Sequence, residues 1–346
     1  MIRVAIADDS PFTCKLVASY VEEDGDCEVV GIAHDAAATR ELVRRTTPEV
    51  LTLDLQMPGA DGLELLQEIT NERRTAVVVV SGVTTLAAAM TLRALELGAV
   101  DFVLKFTPGA PMRRASIKRE LLSKIKLAAA APLAPRPERR AAPAVARPLA
   151  PRRVRPAASA ATAPVVIGAS TGGLRAISEL LEHLAHDFKA PCIIVQHLPA
   201  TFTTPFAAQL ERHAHLRVKE AAAGDRLESG VALVTPGDQH LLVRRDGIVD
   251  LVPATDDDPY RPSIDRTMAS VAEQYGAAAT GVLLTGMGGD GVAGLGRIRA
   301  VGGDTYVQDL ASCVIASMPG RAIDAGVAGY IGRPERIAQV MSRGRR

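Results

Sequence analysis

Two sets of reactive side chains sit just past the ends of short apolar runs in this chain. In the first half the set is Asp8 and Asp9, then Asp54, Ser81 and Lys105. Positions just beyond successive strands of an open α/β sheet converge on one rim. Three carboxylates crowded there repel one another and call for a divalent cation, most naturally Mg2+ with its preference for oxygen ligands. A cation beside a nucleophilic carboxylate, with a lysine to balance phosphoryl charge, is the equipment for forming an acyl phosphate. Asp8-Asp9-Ser10-Pro11 also suits a plain helix cap. Asp54 and Lys105, in register at the ends of the third and fifth runs, favour the cation site.

The second set is Ser170, His197 and Asp290. Ser170 lies where VVIGASTGG runs from a strand into a glycine-flanked turn, as a nucleophile elbow does, although GxSxG itself is not met. His197 follows the buried run IIVQ, and Asp290 stands among four glycines in LLTGMGGDG. Together they are a nucleophile, a general base and an orienting carboxylate on one rim. Taken singly each has a plainer reading. Ser170 could be only an N-cap, and a lone histidine is more often structural, as the other six (His34, His183, His186, His213, His215, His240) illustrate. There is also a rival for the last motif: Gly286, Gly288 and Gly291 satisfy GxGxxG after a strand, with Asp309 placed to meet a ribose. That predicts a non-hydrolytic nucleotide-binding module. Against it, the charge of Asp290 opposes a pyrophosphate, and the Ser170 and His197 loops are left without a task.

The elements that must position these groups follow from periodicity. Apolar runs at Ile2–Ala7, Cys27–Ala33, Val50–Leu53, Ala76–Val80 and Val100–Leu104 alternate with helical patterns such as Asp61–Glu72 and Thr84–Leu97. The alternation resumes at Val165–Ile167, Cys192–Val195, Val231–Val234, Gly281–Leu284 and Thr305–Val307, with an antiparallel hairpin expected over Leu241–Val252. The fold class is α/β, two doubly wound parallel-sheet domains: a five-stranded flavodoxin-like one, then a Rossmann-like one with the hairpin. Between them, about Ala128 to Ala163, the chain is almost entirely Ala, Pro and Arg, which predicts a flexible, partly extended tether. The expected division is 1–122, linker 123–163, and 164–346.

Bulk properties narrow the function classes. With 40 basic against 39 acidic residues, no global field favours nucleic acid or a membrane surface. The four cysteines are dispersed without a CxxC pair, which excludes a zinc ribbon and suits a reducing cytosol. No apolar run reaches spanning length, so neither membrane insertion nor a location other than the cytoplasm is expected. The second half is too long, too α/β and too near neutral for a helix-turn-helix DNA-binding output.

The motifs ADDSP, LDLQMPGADGLELL, VVVSG and DFVLK resemble a response-regulator receiver domain. That resemblance implies Asp54 as phosphoacceptor, Mg2+ held by Asp8, Asp9 and Asp54 with help from the Gln56 backbone, Ser81 as switch hydroxyl and Lys105 as partner of the phosphoryl group. Receivers usually follow that lysine with proline, whereas here Phe106 follows and Pro108 comes later, so the adjoining loop is expected to differ. VIGASTGG, IIVQHLP, VALVTPGDQH, RPSIDRTMASVAEQYG and LLTGMGGDG resemble the catalytic domain of the chemotaxis protein-glutamate methylesterases, in the family's order. After Asp309 the MP and A-I-x-x-G pattern is kept while neighbouring residues diverge. This second resemblance implies Ser170 as nucleophile, His197 as base, Asp290 as its orienter, and oxyanion donors on the backbone near Thr171 and Met287. It further implies a phosphorylation-activated hydrolase acting on glutamate methyl esters, and on glutamines, of methyl-accepting chemotaxis receptors. A histidine kinase is the expected phosphodonor, ester hydrolysis needs no cofactor, and the unphosphorylated receiver is expected to cover the Ser170 rim.

Overall fold

The computed structural model describes residues 1–59, 61–72, 74–105, 111–131 and 163–344, which fall into two compact units. Residues 132–162 of the Ala/Pro/Arg tether, together with Phe106 and Pro108, lie outside the described residues.

The first unit runs β1 (Ile2–Ala7), α1 (Pro11–Glu22), β2 (Cys27–Ala33), α2 (Ala36–Thr46), β3 (Val50–Leu53), α3 (Gly62–Glu72), β4 (Ala76–Ser81), α4 (Thr85–Glu96), β5 (Asp101–Leu104) and α5 (Pro111–Ala130). Its strands form one parallel sheet in the order β2-β1-β3-β4-β5. The central runs VLTL and AVVVVS are buried along their whole length, as a sheet covered on both faces requires. The chain reverses direction across the sheet between β1 and β3, and the crevice at their carboxyl ends is where such sheets take ligands. One boundary differs from expectation. Helix α5 continues past residue 122 to Ala130, because Ile125 and Ala128 are buried in the core of this unit beside Leu121.

The second unit comprises β6 (Val165–Ala169), α6 (Gly173–Glu182), β7 (Cys192–Gln196), α7 (Ala200–Glu211), β8 (Arg217–Glu220), β9 (Val231–Val234), β10 (Gln239–Val243), β11 (Val249–Pro253), α8 (Ile264–Tyr275), β12 (Thr280–Leu283), α9 (Val292–Ala300), β13 (Asp304–Gln308), α10 (Ser317–Asp324), β14 (Tyr330–Gly332) and α11 (Pro334–Gly344). Seven strands form a parallel sheet in the order β14-β13-β12-β6-β7-β9-β8, while β10 and β11 form the separate antiparallel hairpin. Strands β8 and β14, unforeseen in the sequence, are the two edges. An edge strand can be short and polar, so RVKE, with only Val218 buried, carries almost no hydrophobic signal. In the middle, β6 lies between β12 and β7, with Ala169 paired to Gln196. Ser170 and His197 therefore leave adjacent strands at the same level. Among the described residues no helix is long and apolar enough to cross a membrane.

Candidate active site

At the carboxyl rim of the first sheet, Asp8 and Asp54 are almost wholly buried while Asp9 is exposed. Carboxylate oxygens of all three lie within 4.8 Å of one another. Lys105 Nζ bridges them, 2.6 Å from Asp54 Oδ2 and 2.9 Å from Asp8 Oδ2. Backbone amides fix the other oxygens: Ser10 N donates to Asp8 Oδ1 (2.9 Å) and Gln56 N to Asp54 Oδ1 (3.0 Å). Ser10 also caps α1 through Thr13 N, so the DDSP segment serves both readings at once, with Ser10 on the helix and Asp8 on the rim. Burial pushes Asp8 above the usual carboxylate range despite the lysine. Burial works against the charge of Lys105, but its two ion pairs outweigh that and raise it. Three carboxylates offering oxygens within 4.8 Å of one another, two of them buried, form an all-oxygen donor set that fits a hard divalent cation. Beside Asp54, a small pocket is lined by Gln56, Ser81, Gly82, Met90 and Thr91. There Ser81 Oγ donates to the Gly82 carbonyl (3.1 Å) and takes a hydrogen bond from Thr91 Oγ1 (2.6 Å).

In the second unit, Ser170 opens the turn between β6 and α6. Its amide donates to Thr285 O (3.0 Å), and its carbonyl accepts from Gly173 N (2.8 Å) and Gln196 Nε2 (2.9 Å). The N-cap of α6 is Gly172, at φ +78°, so the serine is not the helix cap. A Cβ at Gly172 would stand 2.6 Å from Val314 Cβ, which restricts this tight turn to glycine. Thr171, the next residue, is buried. Ser170 Oγ makes no hydrogen bond among the described residues; nucleophile–base contacts are often loose until substrate tightens them.

His197 follows β7, its amide bonded to Ala169 O (3.2 Å), and its Nε2 lies 2.9 Å from Asp290 Oδ2. That carboxylate is 1% exposed and seated on the N-terminus of α8. Its Oδ2 also accepts from Ile264 N (2.7 Å), and Oδ1 accepts from Asp265 N (2.9 Å), Gly291 N (3.1 Å) and Ser263 Oγ (3.2 Å). Burial alone would raise Asp290, but the bond from His197, its charge and the helix amides outweigh it and hold the carboxyl below its usual range. Met287 occupies the same turn and is 43% exposed. Gly286 before it has no room for a side chain, since a Cβ there would stand 2.7 Å from Ser170 Cβ.

Sequence reasoning missed two groups here. His240, counted among the structural histidines, is fully buried with Nδ1 accepting from Ser263 N (3.0 Å), and so it holds the residue that caps α8. Its Nε2 lies 3.3 Å from Asp258 Oδ2 without hydrogen-bond alignment. Tyr260 stacks on the His197 ring, centroids 5.3 Å apart and planes 10° apart, and its hydroxyl accepts from Gly289 N (3.1 Å). The nucleotide alternative loses its parts. Asp309 is tied to Ser312 N (3.1 Å) and Oγ (2.7 Å), and a Cβ at Gly288 would stand 2.6 Å from the Tyr260 hydroxyl oxygen. The glycines serve close packing of the Asp290 turn.

A lysine-bridged acidic rim on a five-stranded parallel sheet, joined in one chain to a sheet carrying a buried carboxylate–histidine pair beside a serine turn, defines the class of a receiver-like domain fused to a hydrolase-like one. Comparison with known proteins agrees. Residues 165–341 match the family described as CheB methylesterase, and residues 4–115 match the response regulator receiver domain. A protein-glutamate methylesterase/protein-glutamine glutaminase of Koribacter versatilis is 39% identical over 94% of this chain and 91% of its own length. One from Nitratidesulfovibrio vulgaris is 42% identical over 96% of both chains. The crystal structure of the Thermotoga maritima CheB methylesterase catalytic domain, 34% identical, matches with a TM-score of 0.50 over 53% of this chain and 98% of its own. The chain belongs to the CheB methylesterase family, with a receiver domain fused ahead of the catalytic domain.

Proposed function

We propose that the chain is a phosphorylation-activated serine hydrolase that removes methyl esters from glutamate side chains of methyl-accepting chemotaxis receptors, and deamidates glutamines by the same chemistry. The observation that carries the reading is the His197 Nε2–Asp290 Oδ2 bond of 2.9 Å, made by a carboxylate anchored on helix amides. It leaves Nδ1 of the ring for the serine. Ser170 Oγ attacks the γ-carbonyl carbon, His197 takes its proton, and the carbon–methoxy bond breaks as that proton passes to departing methanol. Water then attacks the glutamyl ester, His197 returns the serine proton, and the free carboxylate leaves. With glutamine, ammonia departs instead of methanol. Asp290 holds the ring and balances the imidazolium. The turns carrying Thr171 and Met287 are assigned to the oxyanion.

In the receiver, Asp54 is the phosphoacceptor and a histidine kinase its donor. Asp8, Asp9 and Asp54 are suited to hold Mg2+, whose charge would offset that of the phosphoryl oxygens. A carboxylate oxygen of Asp54 forms the new bond to phosphorus as the donor's bond breaks, and Lys105 pairs with the transferred group. The added charge, about −1.5 to −2, draws on Ser81, presently bonded to Thr91, and so rearranges the α4 side of the domain. The test is methanol release from methylated receptor by wild type and Ser170→Ala, each with and without a small acyl phosphate. Release by wild type that rises with the acyl phosphate and vanishes in the variant is expected. Equal release by both proteins would remove Ser170 from the mechanism.

A further inference from the structure

We infer that Tyr260 is a positioning residue for the reaction, holding the His197 imidazole in plane and lending its ring face to the imidazolium that forms when Ser170 gives up its proton. The inference rests on the hydrolase reading above. Asp290 alone does not fix the base, because a single hydrogen bond at Nε2, an atom close to the Cβ–Cγ axis, only loosely restrains rotation of the ring about that axis. A flat partner against the ring removes that freedom, and Tyr260 is such a partner, with its ring 10° from parallel and centroids 5.3 Å apart.

The tyrosine is itself braced. Its hydroxyl accepts from Gly289 N (3.1 Å), the residue directly before Asp290, and a Cβ at Gly288 would collide with that hydroxyl at 2.6 Å. One side chain therefore touches the base through its face and the Asp290 turn through its edge. In the chain it also stands three residues before Ser263, whose hydroxyl donates to Asp290 (3.2 Å). Histidine and carboxylate are thus held from two directions. The electrostatics favour the same residue: an aromatic face attracts a cation lying over it, and a general base gains its positive charge as it takes the serine proton. The contact is stronger in the transition state than in the resting enzyme, the condition for raising kcat rather than lowering KM.

The test uses full-length protein, with Mg2+ and a small acyl phosphate present, releasing methanol from methylated receptor. Wild type, Ser170→Ala, Tyr260→Phe and Tyr260→Leu are compared. Tyr260→Leu should lower kcat by roughly 5- to 30-fold with KM unchanged, the span given by a desolvated cation–π contact. Tyr260→Phe keeps the ring and should restore kcat to within about threefold of wild type, since only the brace to Gly289 is lost. Circular dichroism checks that both variants are folded. Tyr260→Leu matching wild type, or losing activity through KM alone, overturns the inference. So does Tyr260→Phe falling as far as Tyr260→Leu, because the ring face would then contribute nothing. An inert wild type overturns the hydrolase reading and this inference with it, whereas an active wild type and dead Ser170→Ala beside an unaffected Tyr260→Leu overturn the tyrosine's role alone.

Discussion

Replacing Asp290 with asparagine removes one charge and exchanges one acceptor oxygen for a donor, at a side chain whose two oxygens receive five hydrogen bonds. Neither orientation of the amide suits them. With its NH2 in the Oδ1 place it faces Asp265 N–H and Gly291 N–H; in the Oδ2 place it faces Ile264 N–H. Each way leaves at least one buried amide without an acceptor and forfeits charge-assisted bonds, a destabilisation of about 2–4 kcal/mol. In the Oδ2 orientation His197 can answer only by moving its proton to Nδ1, which leaves no lone pair for the serine, and turnover should fall on the order of 10⁴-fold. Methanol release reads the second effect. The first is read by urea unfolding followed through tyrosine absorbance, since Tyr260, Tyr275, Tyr306 and Tyr330 all belong to the catalytic unit and only Tyr20 does not. The pH dependence has a definite sign. Folding holds the Asp290 carboxyl below its unfolded value, so its ionised form adds stability fully above roughly pH 4 and loses it as pH falls through the lower folded value. The stability gap between wild type and variant should therefore shrink in acid. A gap that is constant or widens below pH 4, or activity within tenfold of wild type, refutes the reasoning.

Ser170→Ala should cost on the order of 10⁴ to 10⁶ in turnover with unchanged unfolding, read by the same methanol assay. Asp54→Asn should abolish incorporation of hydroxylamine-labile phosphate from a small acyl phosphate, and chelation of divalent cations should do the same to wild type. Gly286→Ala places a methyl group 2.7 Å from Ser170 Cβ. The same methyl would meet Met318 Sδ still more closely, so the packing around the turn must shift, and misplacement of Ser170 by an ångström or so should lower kcat by about 10²-fold while circular dichroism stays native.

Both candidate rims were legible in the sequence as positions because a parallel strand buried on both faces is a nearly uninterrupted apolar run, and the first polar residue after it marks the rim. Asp8, Asp54, His197 and, one residue past its strand, Ser170 all stand in that relation. Asp290 lies several residues beyond β12, and its prominence came from the glycines around it. What could not be read is how it is held. The amides of Ile264 and Asp265 carry no side-chain signature, and their direction depends on where α8 begins in space. Tyr260 and His240 were obscured for a related reason: each engages residues far along the chain, and no periodicity reports such contacts. The two edge strands escaped because their pairing is mostly backbone, and α5 was cut short because its last turn is rich in alanine, as is the segment after it.

On the proposed assignment, the pairing of Ala169 with Gln196 ties catalysis to the sheet itself. The proposed nucleophile and base, Ser170 and His197, ride on the ends of two hydrogen-bonded strands, so their spacing is inherited from the ladder, about 4.8 Å from strand to strand. Such a ladder does not loosen by degrees; central strands open only with the whole domain. Warming should then leave the reaction competent up to the melting transition and extinguish it there in one step, rather than through the gradual decline of enzymes whose reactive groups sit on mobile loops.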